Sequence, residues 1–423
     1  MKQIIFSLAV LVAITGCATS EYITHPHQEE ATRVDAKKIS VFFDGTSNTP
    51  NSSTNVVKLY NLVTLQPRND IQSIYIKGVG TEGGWTKQLF GMAAGMGIGE
   101  DVRQAYRYLG ITYTEGSKDE IYLFGFSRGS YSARILAGMI YTAGLADLKG
   151  IDDEEEQIKL VEQIYDEYKG DRDLKARREA IAKIDSVRFM NPRISFMGVW
   201  DTVEALGLPN RTEKIEEVNG RYVDQLCNID QAAHALSIDD NRAKIFTPIS
   251  LTSKSLIKVC NKKISIDSVV NEVWFSGAHA DVGGGYENTE LSGVSLNWMI
   301  EQMESTGLLS KDAKVLEDPY GISHNPSKGF FNAIYENRNR NLPHYIAKTG
   351  YNKGKIKVHE SVFERLAKVP KLWQEFNWIA EGSDEYTRNF PKCFEKQVRD
   401  DGKYTLKYDE SKSCFDVVKR KKD

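Results

Sequence analysis

The chain has 423 residues, 41% apolar and 27% charged, with a net charge of −3. That balance excludes a disordered or membrane-embedded polypeptide, and the length allows one large core or two smaller ones. The slight acidic excess argues against a nucleic-acid partner, which would call for a strong basic surplus. The run Lys419-Arg420-Lys421-Lys422 is short and reads as a solvated tail.

In chain order, Lys2 is followed by an apolar stretch from Ile4 to Ile14, then Thr15, Gly16 and Cys17. The stretch is shorter than the ~20 residues a transmembrane helix needs and has the layout of a cleaved secretory signal. Ile14-Thr15-Gly16-Cys17 resembles a bacterial lipobox. That resemblance implies cleavage before Cys17, acylation of its thiol and, with Ala18 rather than Asp following, sorting to the outer membrane. An ordinary signal cut after Ala18 is the alternative. Residues 1–16 are read as the signal and residues 17–36, polar and aperiodic, as a tether.

Short strands then alternate with helices. The expected strands are Ile39–Phe43, Ile71–Ile76, Glu120–Phe124, Ile194–Trp200 and Val269–Phe275. Helical periodicity covers Glu100–Leu109, Ser130–Tyr141 and Leu291–Ser305. The pattern predicts an α/β fold, a mostly parallel sheet with helices on both faces. Reacting groups would then gather at the carboxyl ends of the strands. Residues 152–188, dense in charge, are read as an inserted helical pair lying over the sheet, a solvated surface excursion with a lid as its alternative. The catalytic domain is placed at 37–360 and a C-terminal extension at 361–423. With Cys17 acylated, Cys227, Cys260, Cys393 and Cys414 would sit in an oxidising compartment, where two disulfides and three pairings exist. Proximity in sequence favours Cys227–Cys260 and Cys393–Cys414. The cysteine spacings match no zinc motif.

Gly125-Phe126-Ser127-Arg128-Gly129 lies between a strand and a helix. This is the setting of the nucleophile elbow of α/β-hydrolases, in which a strained turn lifts the serine above the sheet. A serine nucleophile needs a base, and the base an orienting acid, following in the order Ser, Asp or Glu, His. Asp201 ends the strand Ile194–Trp200, with a helix N-cap as its alternative reading. His279 follows the strand ending at Phe275, beside a glycine-rich turn. His234 falls in a stretch read as helical, and His324, His344 and His359 in less regular sequence. The oxyanion donors are expected at the backbone N–H of Arg128 and in the loop Asp44-Gly45-Thr46-Ser47-Asn48, with Gly45 and Thr46 as candidates. Asp44 and Asp281 read as structural hydrogen-bonding acids rather than a metal pair, so no metal and no cofactor are expected.

Several blocks together resemble one family. They are Phe42–Thr49, Gly125–Gly129 with Ala133-Arg134, Met197–Val203, His234–Arg242 and Val273–Tyr286. This is the α/β-hydrolase domain family that includes phospholipase effectors of type VI secretion, and the match runs from about 38 to 305. The resemblance implies Ser127, Asp201 and His279 as the triad, with phospholipase A or esterase activity on membrane lipids. Effectors of that kind lack a signal peptide, so the lipobox points to a resident envelope lipase held at its substrate by a lipid anchor. Two rival readings stay open: a catalytically idle lipoprotein that binds a partner, and an esterase acting on soluble substrates.

Overall fold

The computed structural model describes residues 22–25, 36–45, 48, 51–78, 96–204, 218–243, 246–326, 336–337, 339–369, 390 and 392–421. Residues 1–16, read above as a signal, together with Cys17 and Thr46, lie outside these residues.

A nine-stranded sheet organises the chain. Its strands are β1 (Tyr22–His25), β2 (Lys38–Phe43), β3 (Ile71–Ile76), β4 (Glu120–Phe126), β5 (Ile194–Trp200), β6 (Ile229–Ser237), β7 (Val270–Phe275), β8 (Lys357–His359) and β9 (Asp416–Val418). The spatial order is β1-β3-β2-β4-β5-β6-β7-β8-β9. All neighbouring pairs are parallel except β1 against β3 at the edge. Strands buried on both faces alternate their apolar side chains between two cores. Ile39, Val41, Ile121, Leu123, Met197 and Val199 face one core. Phe42, Tyr122, Phe124, Phe196 and Trp200 face the other.

Helices cover both faces. The first core is closed by α1 (Met96–Thr112), α2 (Arg128–Ala143), α3 (Glu154–Tyr168) and α4 (Leu174–Ile181). The second is closed by the helices Asn55–Thr64 and Glu290–Gln302. The helical insertion is present as α3 and α4, and it belongs to the core: Leu160, Val161, Ile164 and Tyr168 are buried in it. Buried Arg177 pins the pair by donating to the carbonyls of Tyr168, Gly170, Arg172 and Arg221.

Three expectations need correction. The tether contains a strand, because the β-branched and aromatic segment Tyr22-Ile-Thr-His25 pairs with the exposed edge of β3. The segment around His234 is strand β6, not helix; its near-continuous apolar burial is the mark of a central parallel strand. The part after residue 360 is no separate extension. It returns β9 to the main sheet beside β8 and builds a third core from Val362, Leu366, Phe394, Leu406 and Phe415 with Trp274 and Leu236. In the structure Cys227 is bonded to Cys260 and Cys393 to Cys414.

Candidate active site

Because β4, β5, β6 and β7 run parallel side by side, their carboxyl ends form one rim of the sheet. Ser127 follows β4, Asp201 follows β5 and His279 comes shortly after β7. All three are buried.

Ser127 stands at φ 59°, ψ −122°, at the junction of β4 and α2. Left-handed backbone at a residue with a side chain is costly and persists where neighbours hold it. The holding bonds are visible: the Ser127 N–H donates to the Trp200 carbonyl at 3.0 Å, and the Ser130 hydroxyl donates to the carbonyls of Gly125 and Trp200. The flanking glycines are required by contact. A Cβ on Gly125 would lie 2.6 Å from the Gly129 backbone, and one on Gly129 only 2.1 Å from the Phe43 carbonyl oxygen. With α2 opening at Arg128, the positive end of the helix faces the serine.

Asp201 is held as firmly. It stands at φ 41°, and its N–H donates to the Ala235 carbonyl at 2.8 Å. No helix starts there, so the N-cap alternative is set aside. Thr202, the next residue, donates its N–H to His234 Nε2 at 3.2 Å, while His234 Nδ1 pairs with Glu272 at 2.9 Å. An accepting Nε2 places the imidazole proton on Nδ1, toward the carboxylate. His234 is therefore a structural support beneath the Asp201 turn.

The Asp201 carboxylate gathers donors from three directions. His279 Nδ1 is 2.5 Å from Oδ2, and the Ser237 N–H donates to Oδ1 at 3.0 Å. Arg340 grips both oxygens, Nη1 to Oδ1 at 2.6 Å and Nη2 to Oδ2 at 2.8 Å. Burial alone would push this carboxyl up, but the Arg340 charge and the His279 hydrogen bond outweigh it and hold it well below the usual carboxylate range. Burial pushes the His279 imidazole below its ordinary value, against the pull of Asp201. Its ring packs between Phe126, the residue before Ser127, at 4.6 Å, and Phe246 at 4.9 Å. His279 Nε2 is buried and has no hydrogen-bond partner among the described residues.

The loop bearing His279 is fastened by two acids that sequence reasoning did not single out. Asp239 accepts from the Gly277 N–H at 2.7 Å and Asp240 from the His279 N–H at 3.1 Å. Arg242 in turn pairs with Asp240 at 2.6 Å. Asp281 accepts from the Ala278 N–H and bonds His324.

On the oxyanion side the expectation needs amending. Gly45 lies against Ser127, but its N–H donates to the Asp44 carboxylate at 2.6 Å. It is thus engaged rather than presented to a substrate. The reason is local: Asp44 is buried, and takes this amide together with the hydroxyls of Thr54 and Tyr75, both at 2.7 Å. Burial pushes the Asp44 carboxyl up to about 6 even so.

Among proteins of known sequence, the chain is 29% identical over 259 residues to the uncharacterized protein YEL023C of Saccharomyces cerevisiae, over 53% of this chain and 35% of that protein. The chain thus spans about a third of the length of that relative. Among solved structures, it matches an uncharacterized protein from Pseudomonas aeruginosa at 18% identity and TM-score 0.42, covering 65% of this chain and 46% of that one. It also matches the Tle1 effector bound to the VgrG spike of the type VI secretion system, at 20% identity and TM-score 0.32, over 60% and 51%. The family model for the phospholipase effector Tle1-like catalytic domain of type VI secretion matches residues 37–302, as the five sequence blocks anticipated. The chain belongs to the Tle1-like phospholipase effector catalytic-domain family.

Proposed function

We propose that the protein hydrolyses acyl esters of membrane lipids with Ser127 as nucleophile. The observation that carries this reading is the His279–Asp201 pair. One imidazole nitrogen is held by a buried carboxylate, and the other has no partner among the described residues, on a ring packed against the residue preceding Ser127. In this reading His279 Nε2 takes the Ser127 proton as Oγ bonds to the ester carbonyl carbon. The tetrahedral oxyanion then collapses, the C–O bond breaks, and the imidazolium returns that proton to the departing alcohol. Water attacks the acyl-serine by the same route, giving the fatty acid and free serine. Asp201 holds the tautomer and steadies the imidazolium. The Arg128 N–H at the start of α2 is one oxyanion donor, and Thr46 is the remaining candidate for the second. Membership of the phospholipase effector family supports the lipid substrate.

The anchor completes the proposal. A signal ending before Cys17 and acylation there would hold the domain at the outer membrane, beside its substrate. Turnover of phosphatidylethanolamine/phosphatidylglycerol vesicles, compared with p-nitrophenyl butyrate and with a Ser127→Ala control, tests the chemistry and the preference together. Serine-dependent hydrolysis of both substrates with no preference for vesicles would assign a soluble-ester esterase instead. Loss of membrane fractionation in Cys17→Ser tests the anchor.

A further inference from the structure

The family match ends at residue 302, yet a side chain from beyond it reaches the centre of the site. Arg340 is buried, and its guanidinium grips both oxygens of the Asp201 carboxylate through two hydrogen bonds of 2.6 and 2.8 Å. Its remaining contacts go to the carbonyls of Ser237 and Phe246. Ser237 also donates its N–H to Asp201, and Phe246 packs on the His279 ring. The arginine therefore touches the acid, a residue that also bonds the acid, and the backbone of Phe246, one of the two rings packed on the histidine.

We propose that Arg340 is a positioning residue for the Asp201–His279 pair, setting both the angle of the carboxylate and the basicity of the imidazole. This rests on the serine-hydrolase reading above. A carboxylate that only accepted from His279 and one amide could rotate about its Cβ–Cγ bond. A bidentate guanidinium fork has one planar fit and prevents that rotation. The same positive charge offsets part of the Asp201 charge that His279 feels, which lowers the stability of the imidazolium and keeps the base neutral to lower pH. Among the other charged groups around His279, Asp240 is bound to Arg242 after β6, and Asp281, two residues past His279, pairs with His324. Asp239 accepts from the Gly277 N–H, and burial pushes its carboxyl up to about 6. Removing Arg340 thus changes the one cation in direct contact with the acid, among the described residues.

The test uses the rate of labelling by a serine-directed fluorophosphonate across pH 4 to 9, which reports activation of Ser127 without knowledge of the lipid. Arg340→Met should slow labelling by about 10²-fold, the size of a misplaced reacting group. It should also move the acid limb upward by roughly one pH unit. Arg340→Lys keeps the charge and loses the fork; it should label slowly with a limb near that of wild type. A folded Arg340→Met protein with the wild-type rate and limb overturns the proposal. If Arg340→Met does not fold, Arg340→Lys decides: wild-type labelling, or failure of the lysine protein to fold as well, assigns the arginine to the fold alone. The functional reading fails on a separate result, namely wild-type labelling or turnover that survives Ser127→Ala.

Discussion

Ser127 and Asp201 occupy left-handed backbone at the ends of neighbouring parallel strands, at φ 59° and φ 41°. They are joined through Trp200, whose carbonyl accepts the Ser127 N–H one residue before Asp201. Among the described residues the third non-glycine position of this kind, Ser413, lies at the far end of the chain. Two strained residues sharing one hydrogen-bonded junction mark where the sheet gives up regular geometry at the ends of β4 and β5.

On the proposed mechanism Ser127→Ala removes the nucleophile and leaves the elbow backbone free to keep its bonds. Ester turnover should then fall by about 10⁶-fold, the loss seen when a triad serine is removed, with melting temperature within a few degrees of wild type. Vesicle turnover and circular dichroism, measured on one preparation, check both halves.

The pH profile follows from the environment of His279. Burial holds its imidazole below the ordinary value of 6.5, so the neutral base survives further into acid than an exposed histidine would. The rate kcat/KM should rise with pH along a limb centred below about 6.5 and then level off. Asp201→Asn, which cannot hold the same tautomer, should cut kcat by about 10⁴-fold. A limb centred above 7 would be at odds with this site.

Gly129→Ala should be damaging out of proportion to its size. The added methyl meets the Phe43 and Asp44 carbonyl oxygens at 2.1 and 2.7 Å, and backbone cannot swing away as a side chain can. A cost of about 1–3 kcal/mol is expected, read as a lower denaturation midpoint. Slower fluorophosphonate labelling should accompany it, because α2 can retreat only by dragging Ser127.

The bond between Cys227 and Cys260 spans 33 residues of sequence and ties the start of β6 to the loop before β7. Closing a loop of that length contributes about 3–4 kcal/mol in the chain-entropy account. Replacing both cysteines with serine should lower the unfolding free energy by that amount in urea titrations. Dithiothreitol should then have no further effect on this segment.

Much of this was legible beforehand. Alternation of apolar residues in Ile39–Phe43 and Ile194–Trp200, with glycines flanking Ser127, is local information. Period, turn residues and strand-to-helix context act over a few residues, so the parallel sheet and the elbow could be read directly. The chain order of Ser127, Asp201 and His279 added the likeness to a hydrolase. Residues around His234 misled because a strand buried on both faces loses its alternation and then looks like a helix. Gly45 was read as an oxyanion donor because a glycine after a strand permits close approach; only the folded loop reveals that Asp44 takes its N–H.

By itself the sequence determined five of the nine strands of the main sheet, the class of fold and the serine on its turn, since each depends on near neighbours and on burial periodicity. The tertiary structure alone decided which acid meets which base, that Asp239 and Asp240 fasten the histidine loop, and that Arg340 clasps Asp201 across 139 positions of chain. It also decided that β9, close to the C-terminus, completes the main sheet. Such pairings follow from how separate segments pack and how buried charges find partners, a condition satisfied in space and written in no local pattern.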